Sequence, residues 1–299
     1  MEFMNRKFIV AVLALIICGC SLHVPAQDKP AYRIVTGEGK SSGYTEMLAS
    51  SLKSDVVFFG ELHNNPVSHW LQLELAKDIF RVKGKELVLA AEMFETDNQL
   101  IIDEYFKGLI KESSFESEVR LWPNYKTDYK PLVNFARING LKFIASNIPR
   151  RYASVVASGG FEALLKLPPE ALKYIAPLPL EYDPELPCYK DLLTSGIHSF
   201  ISLKYNKENL SKAQAVKDAT MAHSIAESRK PGQVIVHMNG SYHTDRYSGI
   251  IWYLNKYSPG LKIITISTVM QEDVEKLKDE NKGRADFVII VPASMTVTH

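Results

Sequence analysis

A mainly parallel β-sheet covered by helices on both faces, a three-layer α/β/α sandwich, is the architecture this sequence predicts. Three observations predict it. Strand and helix patterns alternate at both ends of the chain. The strand segments are near-continuous apolar runs rather than alternating ones, as strands buried on both faces must be. Finally, 46% of the residues are hydrophobic and only 23% charged, enough apolar material for a large core and too little charge for disorder.

The chain opens with Arg6 and Lys7 and an apolar run over residues 8–17, a length that suits a signal peptide better than a membrane span. The run ends in Ile17-Cys18-Gly19-Cys20, which resembles the lipobox cut by lipoprotein signal peptidase. Residues 1–19 are therefore expected to be a leader, Cys20 the lipidated residue, and residues 20–30 a tether without hydrophobic period. Ser21 after the cysteine favours the outer over the inner membrane. No later segment is apolar enough to span a bilayer, so lipid on Cys20 is the expected anchor in the cell envelope. Once Cys18 is removed and Cys20 lipidated, Cys188 has no intrachain disulfide partner. A formal net charge of +1 with no basic stripe argues against nucleic acid as a partner.

Residues 31–299 read as one domain. The run over residues 55–60, β-branched and aromatic, predicts a first strand ending at Gly60, and a helical period follows over residues 67–82. Residues 86–91 form the second strand. Thr96-Asp97-Asn98-Gln99 reads as a capping box opening a helix to residue 109. Pro131 suits the first position of a helix to residue 139, and residues 141–146 form the third strand. Residues 150–228 break this rhythm: they read as a helical insertion with a proline-rich stretch over residues 177–187 and a long helix over 211–229. The alternation then resumes, with strands at 233–238, 261–267 and 285–291 and helices at 247–257 and 273–280.

In open parallel sheets, sites form beyond the carboxyl ends of the strands. Here those ends carry Gly60-Glu61-Leu62-His63, Glu92-Met93-Phe94-Glu95, Asn147-Ile148-Pro149-Arg150 and His237-Met238-Asn239-Gly240-Ser241-Tyr242-His243. Carboxylates, imidazoles and an arginine thus converge on one rim. Each residue also has an ordinary reading: Glu61 as a first-turn acid, Glu92 as a partner for Arg150, a lone histidine as packing. His69 and His223 lie within helical patterns and read as structural or surface. What raises the rim above coincidence is repetition, since Gly-x-x-His follows two separate strands. Glycine permits a tight turn or close approach, and a histidine three residues on can reach back over the strand end.

The paired Gly-x-x-His motifs resemble the Tiki superfamily, and within it the ChaN-like haem-binding lipoproteins. Gly60 to Pro66 is similar to that family's first signature, and Glu92-Met93-Phe94-Glu95 to its second. The aromatic stretch 122–132, Asn147-Ile148-Pro149-Arg150, the block starting Lys217-Asp218 and Asn239-Gly240-Ser241-Tyr242-His243 match further blocks in order. The resemblance implies a haem-binding envelope lipoprotein of haem or iron uptake, with haems packed face to face across a homodimer. Haem requires an apolar slot, an axial donor and cations for its propionates. The insertion offers Tyr182, Tyr189, Tyr205 and His198 as donors, with Tyr189 favoured beside Lys190; Lys190 and Arg150 are candidate propionate partners. The alternative reading is a hydrolase in which Glu61 activates water and His63, Glu92 and His243 assist. In that reading His63 and His243 could hold a divalent metal, and Arg150 an anionic substrate group.

Overall fold

The computed structural model describes residues 28–194 and 206–298; Cys20, His198 and Tyr205 lie outside them. Seven strands form one sheet in the order β1-β7-β6-β2-β5-β3-β4. They are β1 (Arg33–Thr36), β2 (Val56–Glu61), β3 (Leu87–Glu95), β4 (Lys142–Asn147), β5 (Val234–Gly240), β6 (Ile263–Gln271) and β7 (Phe287–Pro292). All neighbours pair in parallel except β1, which runs antiparallel to β7 at one edge. Ala31–His299 forms one unit; of the separate unit Met1–Pro30 only residues 28–30 are described. Among the described residues no helix is long and apolar enough to cross a membrane.

Among the described residues, the α-helices of seven residues or more are α1 (Tyr44–Ser51), α2 (Pro66–Lys83), α3 (Gln99–Phe106), α4 (Glu112–Glu118), α5 (Lys130–Ile138), α6 (Arg150–Gly159), α7 (Pro187–Thr194), α8 (Lys207–Ser228) and α9 (Ile250–Tyr257). Pleating divides the strand side chains between two cores. Val57, Phe59, Leu89, Val236 and Phe143 pack against α2 to α5, whereas Val56, Phe58, Val88, Ile235 and Ile144 pack against α8 and α9. The crossovers from β2 to β3 and from β3 to β4 therefore lie on one face. Those that run back, from β4 to β5 and from β5 to β6, lie on the other, as they must if every crossover keeps the same hand.

The described parts of the helical insertion, residues 150–194 and 206–228, belong to the β4-to-β5 crossover. Ala215, Ala219, Ala222 and Ile225 on α8 seal the second face of the sheet, and α6 packs beside α8 around Val156 and Val216.

Local chemistry explains where elements begin and end. Asn65 caps α2 by accepting from the Val67 and Ser68 amides, both at 3.1 Å, with Pro66 in the first turn. Such a cap contributes about 1 kcal/mol. The capping box at Thr96 does not form. Thr96 donates instead to the Tyr174 carbonyl, and Gln99 bonds the Phe143 carbonyl and the Ala145 amide, covering the free edge of β4. The helix expected over 273–280 is also absent. The Gln271 side chain binds the carbonyls of Asp273 and Lys276 and the Lys278 amide, which holds this stretch in an irregular loop.

Candidate functional site at the carboxyl rim

Parallel register places the two Gly-x-x-His motifs side by side. Gly60 pairs with Asn239 and Glu61 with Gly240, so the motifs leave the sheet offset by one residue. Each glycine makes room for the other motif. A Cβ on Gly60 would lie 2.9 Å from the Cα of Ser241 and 2.9 Å from the Ile266 carbonyl oxygen. A Cβ on Gly240 would lie 2.8 Å from two ring atoms of His63. At Gly60 the crowding is with backbone, so only hydrogen fits, whereas at Gly240 an added Cβ would have to displace the His63 ring.

Glu61 is fully buried on the α2 face of the sheet. Its Oε1 binds His63 Nδ1 at 2.9 Å and accepts from the Tyr129 hydroxyl at 2.7 Å, and its Oε2 accepts from Gln72 at 2.6 Å. With its oxygens engaged and no exposed surface, Glu61 cannot meet a substrate or water directly. It braces His63 from beneath the rim, whereas the general-base role expected of it would need a face on the cleft. A second ring of bonds fixes the His63 backbone: its carbonyl accepts from Asn124 at 2.7 Å and is bonded by His69 Nε2 at 3.1 Å. The His63 ring is 40% exposed and meets Trp122 edge-on, with centroids 4.8 Å apart. Burial works against charge on this ring, but Glu61 and Glu92 outweigh it and raise the imidazole above its ordinary value.

Glu92 stands on the opposite face. Its Oε2 accepts from the Gly240 amide at 2.8 Å, and its Oε1 accepts from His243 Nε2 at 3.2 Å. His243 Nδ1 donates to Asp218 at 2.5 Å, and Tyr189 donates to the other Asp218 oxygen at 2.7 Å. Burial opposes a charged His243, yet the two carboxylates push it up to about 10, an imidazolium at neutral pH. Burial likewise opposes ionisation of Glu92, but His243 and His63 hold it well below the usual carboxylate range. Asp218, buried at the centre, is raised by desolvation despite His243. His237 lies under the rim rather than on it: it bonds Ser146 and Asn239, and burial pushes it down to about 4.

Above these groups opens a cleft of about 550 Å³, within the range of small-molecule sites. His63, Glu92, His243, Asn147, Arg150 and Lys217 supply its polar lining, and Leu121, Trp122, Pro123 and Ile148 its apolar wall. The ordinary reading of Glu92, as a partner for Arg150, belongs instead to Glu95, which binds Arg150 at 2.6 Å and Arg120 at 2.7 Å. Three of the four predicted catalytic residues thus line one cleft, with Glu61 directly beneath.

The metal and tyrosine assignments fare differently. Both nitrogens of His243 are taken by carboxylates, and Nδ1 of His63 by Glu61. Among the described residues no group of three His, Cys, Asp or Glu is placed to hold a metal ion. Tyr189 is wholly buried, donating to Asp218, and burial together with that carboxylate raises its phenol well above its ordinary value. Tyr182 donates to Ser211 at 2.9 Å, and Lys190 pairs with Glu185 at 2.7 Å; none of the three lines the cleft. Sequence reasoning undervalued His69, Gln72 and Asp218. A signal for Asp218 was present, since it sits between Ala215, Ala219 and Ala222 on the apolar stripe of a helix.

A family model described as haem-binding uptake, Tiki superfamily, ChaN, matches residues 47–254, which include every residue of this rim and cleft. The chain belongs to this family. Its fold is similar to ChaN of Campylobacter jejuni, a structure described as showing cofacial haem binding. The two are 21% identical over 89% of this chain and 99% of that one, with a TM-score of 0.65. An erythromycin esterase in its open conformation is 9% identical over 81% of this ChaN-family chain and 77% of that one, at a TM-score of 0.44. Protein RETICULATA-RELATED 5 of Arabidopsis thaliana chloroplasts is 24% identical over 216 residues, 65% of this chain. The match spans only 28% of that relative's length.

The His243 network sets a pH dependence. A histidine whose folded value exceeds its unfolded value stabilises fully below about 6.5 and loses that contribution as pH rises toward 10. Denaturant titrations should therefore show stability falling between pH 7 and pH 10, by at most about 1.4 kcal/mol per pH unit from this group. In His243→Gln that slope should flatten; an unchanged slope would mean that the ring is not charged.

Proposed function

We propose that this chain is a lipid-anchored haem-binding protein of the cell envelope, serving haem or iron uptake, with haem as its cargo. The family match over residues 47–254 carries the reading. The residues present suit such a cargo. The cleft pairs an apolar wall containing Trp122, Pro123 and Ile148 with Arg150 and Lys217, the kind of cations that hold carboxylates. His63, inclined toward its charged form, is suited to pairing with an acid rather than ligating iron.

An axial tyrosinate is the donor expected, and Tyr205, which lies outside the described residues, is the candidate to test. Of the three candidate tyrosines, Tyr182 and Tyr189 have their hydroxyls committed to Ser211 and Asp218. A tyrosinate is a hard donor matched to ferric iron. Haemin titrated into the protein should give a shifted Soret band and a tyrosinate charge-transfer band. Tyr205→Phe should remove the latter and weaken binding, while Tyr182→Phe and Tyr189→Phe leave it in place. No haemin-dependent spectrum at all would defeat the proposal, and a charge-transfer band surviving in Tyr205→Phe would defeat the ligand assignment.

Cofacial haem packing, described for the Campylobacter protein, supports a homodimer here, in which a two-fold axis brings two cargo sites together. Anchoring through Cys20 rests on the lipobox-like Ile17-Cys18-Gly19-Cys20, and Ser21 supports the outer membrane. Cys20→Ala should abolish labelling by a radioactive fatty acid and move the protein out of the membrane fraction; labelling at the wild-type level would refute the anchor.

A further inference from the structure

After β7 the chain turns back across the rim. Ala293 extends the sheet by donating its amide to the Gln271 carbonyl, and the Met295 amide closes a turn on the Pro292 carbonyl. Met295 is partly buried against the α2 face of the core. The next residues reach the turn that follows β2, and since β6 lies between β7 and β2 they pass one strand end on the way. Val297 is 41% exposed, while Thr298, the more polar of the two, is part-buried. Apolar packing would choose the reverse order. Thr298 therefore sits where it does for its polar atoms.

Its amide and its hydroxyl both reach the first Gly-x-x-His motif or the groups that support it. The amide donates to the Asn64 carbonyl at 3.0 Å, one residue beyond His63. The hydroxyl donates to Asp128 Oδ2 at 2.7 Å and lies 3.2 Å from the same Asn64 carbonyl. The Asp128 side chain is only 3% exposed, and it belongs to the π-type turn Tyr125–Tyr129, whose Tyr129 braces Glu61. Oδ2 of Asp128 also accepts from Asn124 at 2.6 Å and stands 3.5 Å from His69 Nε2. Asn124 and His69 in turn hold the His63 carbonyl. Without the Thr298 hydroxyl, a buried carboxylate would draw harder on these two donors and loosen their grip on that carbonyl. The tail thus reaches His63 by two routes, through Asn64 and through Asp128. Residues 293–298 lie outside the 47–254 that the family model matches.

We infer that residues 293–298 form a strap across the rim, that Thr298 is a positioning residue for His63, and that the strap sets the grip of the cleft on its cargo. With the strap seated, the turn after β2 is pinned at two successive carbonyls, those of His63 and Asn64. The imidazole then rests against Gly240, in contact with Glu61 and Trp122. With the strap lifted, the ring keeps its bond to Glu61 but loses the fixed backbone that aims it. Coupling between two sites is reciprocal, so a cargo that binds the ordered cleft also holds the strap down. The effect on cargo rests on the haem reading; the effect on His63 does not.

Thr298→Val keeps the shape of the side chain and removes its hydroxyl, and Thr298→Ser restores the hydroxyl. The His63 ring of the full chain can be titrated by nuclear magnetic resonance, with His63→Gln identifying its signal. In Thr298→Val it should titrate closer to an ordinary histidine than the raised imidazole of the unaltered chain. Thr298→Ser should return it, and melting curves should show all three forms folded. Haemin affinity should fall about fivefold in Thr298→Val and recover in Thr298→Ser, and haemin should slow hydrogen exchange at the Thr298 amide by a similar factor. An unshifted His63 titration in Thr298→Val would overturn the inference, as would a shift that Thr298→Ser fails to restore. Equal haemin affinity in Thr298→Val and the unaltered chain would overturn control of the cleft by the strap. If haemin binds neither, the haem reading falls, and the His63 titration still decides whether Thr298 positions that ring.

Discussion

The ionic chain Asp218–His243–Glu92 is the interaction on which the rest of the rim depends. Burying three ionisable groups costs several kcal/mol per ion unless each is answered, and here each is: Asp218 by His243 and Tyr189, Glu92 by His243 and the Gly240 amide. The chain ties α8 to β3 and to the turn after β5, three elements that share no strand pairing at that level. Removing one member would strand the others in a dry interior, which makes the network an all-or-none constraint on the shape of the cleft floor.

Glu61 works the same way on the other face. It is answered by His63, Tyr129 and Gln72, and these reach it from the turn after β2, a single π-type turn at Tyr125–Tyr129 and α2. The two carboxylates lie on opposite faces of the sheet because their strands present them in opposite pleat phases, yet both brace a histidine at the same rim. Gly60 and Gly240 let the two halves approach. The consequence is a cleft whose floor is charged and rigid, while its outer wall, at Arg150 and Lys217, keeps cations in reserve.

Much of this was legible in the sequence, and what was not has physical reasons. The parallel sheet, its rim and the residues meeting there followed from apolar runs ending in polar strand tails, a pattern dictated by burial on both faces. β1 escaped notice because four residues at an antiparallel edge carry too short a pattern. β3 extends to Glu95 beyond its apolar run, carrying Glu92 and Glu95 into the sheet, because partners supplied by distant segments satisfy both acids. The buried tyrosines were misjudged for the same reason in reverse. Tyr189 looks available beside Lys190, but only tertiary structure reveals that Asp218 claims its hydroxyl. Hydrogen-bond partners 29 residues away leave no local trace. The same blindness hid the support given to His63 by His69 and Asn124.

The two motifs interlock, with His63 resting against the bare Cα of Gly240, and that contact shapes the cleft floor. Haemin affinity of Gly240→Ala, measured beside its circular dichroism and melting curve, tests it most directly. The added methyl group must displace the His63 ring, whose atoms lie 2.8 Å from it, while Glu92 at 3.6 Å remains in ordinary contact. The interlocked arrangement predicts a folded variant with haemin affinity reduced about tenfold or more. A folded Gly240→Ala that binds haemin as tightly as the unaltered chain would contradict it.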